Sequence, residues 1–245
     1  MALTSFDAQL ITPDWPAPPS VVAYTTTRQA GVSEGRYAGL NVGMHVGDNP
    51  QAVAANRALL PMAQRITWLD QVHKNGCVRL PAKSLQADAS VSRNRLHWCA
   101  VMTADCVPIL LCDKQGTEVA AIHAGWKGLE QQIIASTVTS LVAKPVDIMA
   151  WIGPAICLQH YQVDASLAAR FEHLENAVRP DTVAGKFCLD LPKIAQMQLL
   201  NAGVTKIYHS QLCTYSDPDR FYSHRYAQHH QNAPTGRMVS VIGLA

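Results

Sequence analysis

The chain has 245 residues, 48% of them hydrophobic and 16% charged, with a formal net charge of +2. That length and balance suit one sizeable core and exclude a disordered chain. With no basic stripe interleaved with aromatics and no run near the ~18 apolar residues of a membrane span, nothing points to nucleic acid or to a bilayer as partner.

Met1–Leu10 lacks a cationic segment followed by an apolar one, so it does not read as a secretory signal, and a cytoplasmic location is expected. Val21–Thr27 is β-branched and alternating, a strand. The glycine-punctuated stretch Arg28–Asn41 that follows is long for a compact domain, which marks it as a binding loop or a surface excursion. Asn49 and Pro50 cap a helix running to about Met62. Ile66–Val72 reads as a strand that delivers His73 at its end, and K-N-G then turns the chain into Cys77–Leu80 as a hairpin partner. Leu96–Met102 is a further strand.

Next comes the most informative stretch. T-A-D-C-V-P at Thr103–Pro108 leads into the apolar run Ile109–Leu111. After the D-K-Q-G turn at Asp113–Gly116, a second apolar run, Val119–Ile122, leads into H-A-G-W-K-G at His123–Gly128. Cys106 and His123 therefore fall at neighbouring strand ends. The spacing of Leu129, Ile133, Val138, Leu141 and Val142 gives an amphipathic helix over Gly128–Val142. Its N-terminus would be the glycine loop itself, where Gly125 and Lys127 make an anion cradle. Downstream, Val146–Ile152 is a strand, Asp164 caps a helix to about Leu174, and Glu175–Lys186 is a polar surface connection. Leu191–Ala202 is a helix stopped by Gly203, and Lys206–Ser210 and Arg237–Leu244 are closing strands. Ser216–Pro234, with Arg225 and the pair His229-His230, reads as a loop. Strands and helices mix without strict alternation, which predicts a single domain over residues 1–245 built as an α/β (α+β) sandwich with a mixed sheet.

The 7 cysteines are scattered with no C-x-x-C pair. Most read as small buried hydrophobes. Cys106 differs because it sits at a strand boundary next to Asp105. His73, Cys106 and His123 each close an apolar run. As a His₂Cys set they fit a catalytic zinc site with one position open for water or substrate. A copper site with Met102 as axial group shares that donor set, but the remaining histidines show none of the H-x-H pairs a multicopper oxidase would use. A third reading has no metal: Cys106 is the nucleophile, His123 its base, and Asp105 or an amide orients the imidazole.

Further motifs run through the chain in one order: T-T-R at Thr26–Arg28, G-V-S at Gly31–Ser33, L-N-V-G at Leu40–Gly43, N-R at Asn56-Arg57, D-Q-V-H at Asp70–His73, I-G-P at Ile152–Pro154 and T-G-R at Thr235–Arg237. With T-A-D-C-V-P and H-A-G-W-K-G they resemble the YfiH family, also called the laccase-domain or multicopper polyphenol oxidase-like family. The resemblance implies a monomeric α/β sandwich with zinc on His73, Cys106 and His123. It also implies purine nucleoside chemistry: phosphorolysis of adenosine, inosine and methylthioadenosine, and deamination of adenosine. Relatives are also linked to copper-dependent phenol oxidation and to editing of peptidoglycan precursors. Two positions depart from the usual pattern: Tyr226 stands where many relatives carry a second arginine, and Lys74 where glycine is common. Within that reading Asp105 is a candidate for proton transfer beside Cys106. Arg28, Asn41, Gly125, Lys127 and Arg225 are candidates for substrate and phosphate.

Overall fold

The structure, a computed structural model, describes residues 9–231 and 233–245. The reading of Met1–Leu10 as lacking a signal falls mostly outside them. In chain order the elements are β1 (Leu10–Ile11), β2 (Val21–Thr26), α1 (Pro50–Ala58), β3 (Ile66–Thr67), β4 (Cys77–Leu80), β5 (Ala89–Ser92), β6 (Trp98–Thr103), β7 (Val107–Asp113), β8 (Val119–Ala124), α2 (Trp126–Glu130) and α3 (Ile133–Ser140). They continue through β9 (Ile148–Ile152), β10 (Gln162–Asp164), α4 (Ala165–Ala168), β11 (Val178–Pro180), β12 (Lys186–Leu189), α5 (Leu191–Asn201), β13 (Lys206–His209), α6 (His224–Gln231) and β14 (Met238–Leu244).

Two mixed sheets face each other. One runs β1-β2-β14-β6-β3 and the other β13-β9-β7-β8-β5-β4, while a small sheet, β10-β12-β11, lies apart. The two-residue side-chain period of a strand sorts the apolar residues into layers. Cys99 and Val101 of β6 meet Leu110, Cys112, Ala121 and Trp151 in the core between the sheets. On the alternate positions, Ile109, Leu111, Ala120 and Ile122 turn outward and pack under α3 and α5 through Ile133, Ile134, Ile194 and Leu199. The outer face of the first sheet, Trp98, Ala100 and Met102, is covered by Leu40, Val42 and Leu60. This is the α/β sandwich that the mixed pattern predicts. Among the described residues no helix is long and apolar enough to cross a membrane.

Several local expectations are corrected. Only Ile66 and Thr67 of Ile66–Val72 are strand, and β4 pairs in parallel with β5, so it is not a hairpin partner of that stretch. β3 and β4 lie in different sheets, and the partner of β4 is β5, a strand the sequence pattern did not reveal. Gly128–Val142 is not one helix: it breaks at Gln132, whose φ is +62°. The apolar spacing continues across the break, so periodicity alone could not reveal it. The helix after Asp164 stops at Ala168, and the expected connection Glu175–Lys186 contains β11. Ser216–Pro234 contains α6, so Arg225, His229 and His230 are helical.

The chain crosses from the first sheet to the second twice, between β3 and β4 and between β6 and β7. His73 lies on the first crossing and Cys106 on the second.

Candidate metal and active site

β7 and β8 form an antiparallel hairpin with Pro108 opposite His123. Cys106, two residues before Pro108, therefore stands on the same face as His123. Gly125 makes this approach possible: a Cβ there would sit 2.9 Å from Cys106 Sγ and 3.6 Å from His73 Cδ2. His73 comes from the loop, at φ +58°. Its arrival as the end of a strand is the expectation the structure replaces. Gln71 takes over the missing ladder: its Nε2 donates to Met102 O at 2.9 Å and its Oε1 accepts from Met102 N at 2.7 Å, so the side chain pairs with the β6 edge as a strand would.

The ligand atoms of His73, Cys106 and His123 lie within 4.8 Å of one another. The two imidazoles meet edge to face, with ring centroids 4.7 Å apart. His123 is buried, Cys106 half-buried and His73 exposed, so the set opens to one side.

Asp88, which the sequence reading missed, organises all of this. Its carboxylate is fully buried and Oδ1 takes His123 Nδ1 at 2.8 Å. The same carboxylate accepts the backbone amides of Val72 (3.2 Å), His73 (2.9 Å) and Lys74 (2.8 Å). One side chain thus fixes the tautomer of one ligand and the loop of another. Asp88, not Asp105, orients the imidazole. Burial pushes the Asp88 carboxyl up, but His123 and these amides outweigh it and hold it below the usual carboxylate range. Burial alone would also push the Cys106 thiol up; the His123 and His73 rings overturn that and hold it at about 6. His123 is held up at about 9 against its burial, chiefly by the Cys106 thiolate and the Asp88 carboxylate. Each shift favours the charged form of its group, and each arises largely from the contact between Cys106 and His123.

A thiolate and two imidazoles, one buttressed through its far nitrogen by a carboxylate, with an open side, make a donor set that fits zinc.

Two cavities flank the set, and His73, Ala104, Cys106 and His224 line both. The larger, about 450 Å³, is walled by Trp126, Tyr161 and Leu191 with Lys127, Gly125, Asp105 and Arg225. The smaller, about 320 Å³, carries Arg237, His45 and Gln71. Arg237 and His45 were not singled out from sequence, although T-G-R marked the place. Burial and the charge of Arg237 hold both His45 and His224 below the ordinary histidine range. Burial disfavours charge of either sign, but the positive charge of Arg237 favours an anion there.

The other expected residues divide. Gly125, Lys127, Arg225 and Asp105 are brought to the site. Asp105, at φ +88°, has both oxygens engaged: Oδ1 accepts Thr214 Oγ1 at 2.7 Å and Oδ2 accepts Arg225 N at 2.6 Å. Arg28 lines neither cavity; it donates to Pro218 O and Ala38 O and lies over the Tyr222 ring. Asn41 is buried, bonds Asp48, and accepts the backbone amides of Gly43 and Arg237. It reaches the site only through Arg237. The Arg28–Asn41 stretch is a packed loop tied down by Asn56, whose Nδ2 donates to Ser33 Oγ, Gly39 O and Asn41 O.

The model of the family described as multi-copper polyphenol oxidoreductase laccase matches residues 22–245. The chain belongs to that family. Within it, the chain is 42% identical over 242 residues to a purine nucleoside phosphorylase of Pseudomonas aeruginosa, covering 96% of this chain and 98% of that one. It is 39% identical to the purine nucleoside phosphorylase YfiH of Escherichia coli, covering 97% and 99%. Among solved structures, that of a Neisseria meningitidis protein superposes with a TM-score of 0.89 at 39% identity, over 96% of this chain and 99% of the other. YlmD from Geobacillus stearothermophilus gives 0.87 at 30% identity, over 96% of each.

Proposed function

We propose that this chain is a zinc-dependent enzyme that cleaves purine nucleosides by phosphorolysis. The observation that carries the reading is the composite cavity at the thiolate–imidazole set, aromatic on one side and cationic on the other. The names of the relatives supply the substrate class. In phosphorolysis the bond between ribose C1′ and the purine nitrogen breaks and its electron pair leaves with the base. A phosphate oxygen bonds to C1′, and a proton must reach the base. Trp126 and Tyr161 offer a stacking wall for a planar base. Arg237, beside His45 and His224, offers donors for phosphate, with Gly125, Lys127 and Arg225 as further anion contacts at the aromatic side. With the oxygens of Asp105 already engaged, the proton role passes from Asp105 to His224, which lines both cavities. Asp105 then fixes the turn that presents Cys106. Zinc on His73, Cys106 and His123 would supply a Lewis acid facing the substrate. Deamination of adenosine would be a different step at the same cavity: water adds its oxygen to purine C6, the C6–N bond breaks, and the amino group leaves as ammonia with a proton from that water.

The test is metal content and inosine or adenosine turnover on one sample, with and without phosphate, before and after chelation, for wild type and Cys106→Ala. About one zinc associated with Cys106, and phosphate-dependent base release lost on chelation, is the expected result. Full turnover in metal-free protein would overturn it. Arg237→Met should raise KM for phosphate more than KM for nucleoside.

One observation favours a second reading. Cys106, His123 and Asp88 stand as nucleophile, base and orienting carboxylate, the arrangement of a cysteine hydrolase. An amidohydrolase acting on a peptidoglycan precursor would keep its activity after chelation and lose it in Cys106→Ser. A copper oxidase of phenols would instead take up dioxygen and show a visible band on copper loading.

A further inference from the structure

We propose that Cys157, His160 and Cys213 form a second site for a zinc-class divalent cation, separate from the site at Cys106. Their ligand atoms, two thiols and an imidazole nitrogen, lie within 4.8 Å of one another, and all three residues are half-buried. Tetrahedral zinc holds thiolates at about 2.3 Å and imidazole nitrogens at about 2.0–2.1 Å. By that geometry neighbouring donors stand about 3.5–4 Å apart, so small side-chain movements would complete the set.

The backbone already presents these donors. Cys157 precedes a short 3-10 turn, Leu158–His160, which carries His160 three residues on. Cys213 is fixed beside it by a parallel bridge to Ala155, with Ala155 N bonded to Leu212 O at 3.2 Å and Thr214 N to Ala155 O at 3.0 Å. The Cys157 amide donates to Cys213 Sγ at 3.3 Å, a contact that favours thiolate. The His160 ring is held by stacking on Tyr215, with centroids 4.4 Å apart and planes 20° apart. A cavity of about 340 Å³ lined by both cysteines, with Asp190 and His209 in its wall, has room for a water as fourth ligand. Binding would release the two thiol protons to solvent.

The site has a structural consequence. Ile156, next to Cys157, donates its amide to Asp105 O at 3.0 Å, and Thr214, next to Cys213, donates Oγ1 to Asp105 Oδ1. A cation on Cys157 and Cys213 would clamp together the two segments that hold the Asp105 turn. The role of His160 separates this site from a simple Cys157–Cys213 disulfide, which needs only the two thiols.

The test loads the full chain with cobalt in place of zinc, under reducing conditions, and reads bound metal per chain and the thiolate-to-cobalt charge-transfer absorption. Cys106→Ala should keep one equivalent of cobalt with a thiolate band. Adding Cys157→Ser or His160→Ala to it should remove both. Should Cys106→Ala not fold by circular dichroism, the same comparison is made in the wild-type background, where Cys157→Ser and His160→Ala should each bind one equivalent less than wild type. Metal content unchanged by either substitution would overturn the proposal. So would a Cys157–Cys213 disulfide, seen by mass spectrometry, that forms equally in His160→Ala while no second metal binds.

Discussion

At the scale of single residues the site depends on Asp88, whose carboxylate supports two of the candidate ligands, and on Gly125, which has no side chain to crowd Cys106. Asp88 serves His123 and three backbone amides at once, so its substitutions separate charge from hydrogen bonding. Asp88→Asn keeps an oxygen but loses the charge that orients His123 and must aim an amide donor at backbone N–H groups. Loss of such a supporting carboxylate typically weakens metal binding about 10–100-fold, and competition titration against a chelator should show a fall of that order. Asp88→Ala also strands the amides of Val72, His73 and Lys74, each about 1–3 kcal/mol if left unpaired and buried. It should melt well below Asp88→Asn. The complementary case is Gly125→Ala. Gly125 has an ordinary φ of −76°, so the backbone tolerates alanine, and the objection is the Cβ 2.9 Å from Cys106 Sγ. With zinc removed from both, the variant should melt close to wild type, while zinc affinity and kcat/KM fall at least about tenfold, as displaced ligands and misplaced reacting groups do. Unchanged zinc affinity would show that Cys106 has room to move.

Legibility follows how strongly each element announces itself. Strands β7 and β8 were plain from their apolar runs and the D-K-Q-G turn, and with them the placement of Cys106 and His123 at neighbouring ends. The helix from Pro50 was plain from its cap, in which Asn49 Oδ1 accepts Gln51 N at 2.9 Å. Asp88 was not, because its stretch carries no motif and only the fold shows that the carboxylate is buried. Helix α6 was missed for a different reason: of His224–Gln231 only Ala227 is buried, so the sequence offers no apolar stripe. What holds α6 in place is Asp105, through the Arg225 amide, and Ser223, whose Oγ accepts Tyr226 N at 3.1 Å. Asp105→Asn tests this element. Asparagine tolerates the positive φ, but its NH₂ must face either Arg225 N–H or the Thr214 hydroxyl. A stability loss of about 1–2 kcal/mol is expected, with zinc content unchanged and nucleoside KM raised several-fold as α6 and its Arg225 shift. A fall in kcat of a thousandfold at constant KM would instead return the proton role to Asp105.

Across the whole molecule the candidate metal set lies where the chain passes between its two sheets. His73 is on the β3–β4 crossing, Cys106 on the β6–β7 crossing, and His123 at the end of β8. An ion held by all three would tie both crossings to the second sheet, linking residues 73, 106 and 123 through a contact that only the folded chain can make. Whatever binds the native state alone stabilises it by about 4 kcal/mol when present at 1,000 times its Kd. In a domain of roughly this size each kcal/mol moves Tm by about 2–4 °C. Chelation should therefore lower the melting temperature by about 8–16 °C by scanning calorimetry, and returning zinc should restore it. Cys106→Ala should start from the low value and respond much less to chelator. A chelated wild type that melts where the zinc-loaded protein does would mean that the crossings hold without the ion. His73, Cys106 and His123 would then have to be explained by the thiolate–imidazole chemistry of the Cys106–His123–Asp88 arrangement alone.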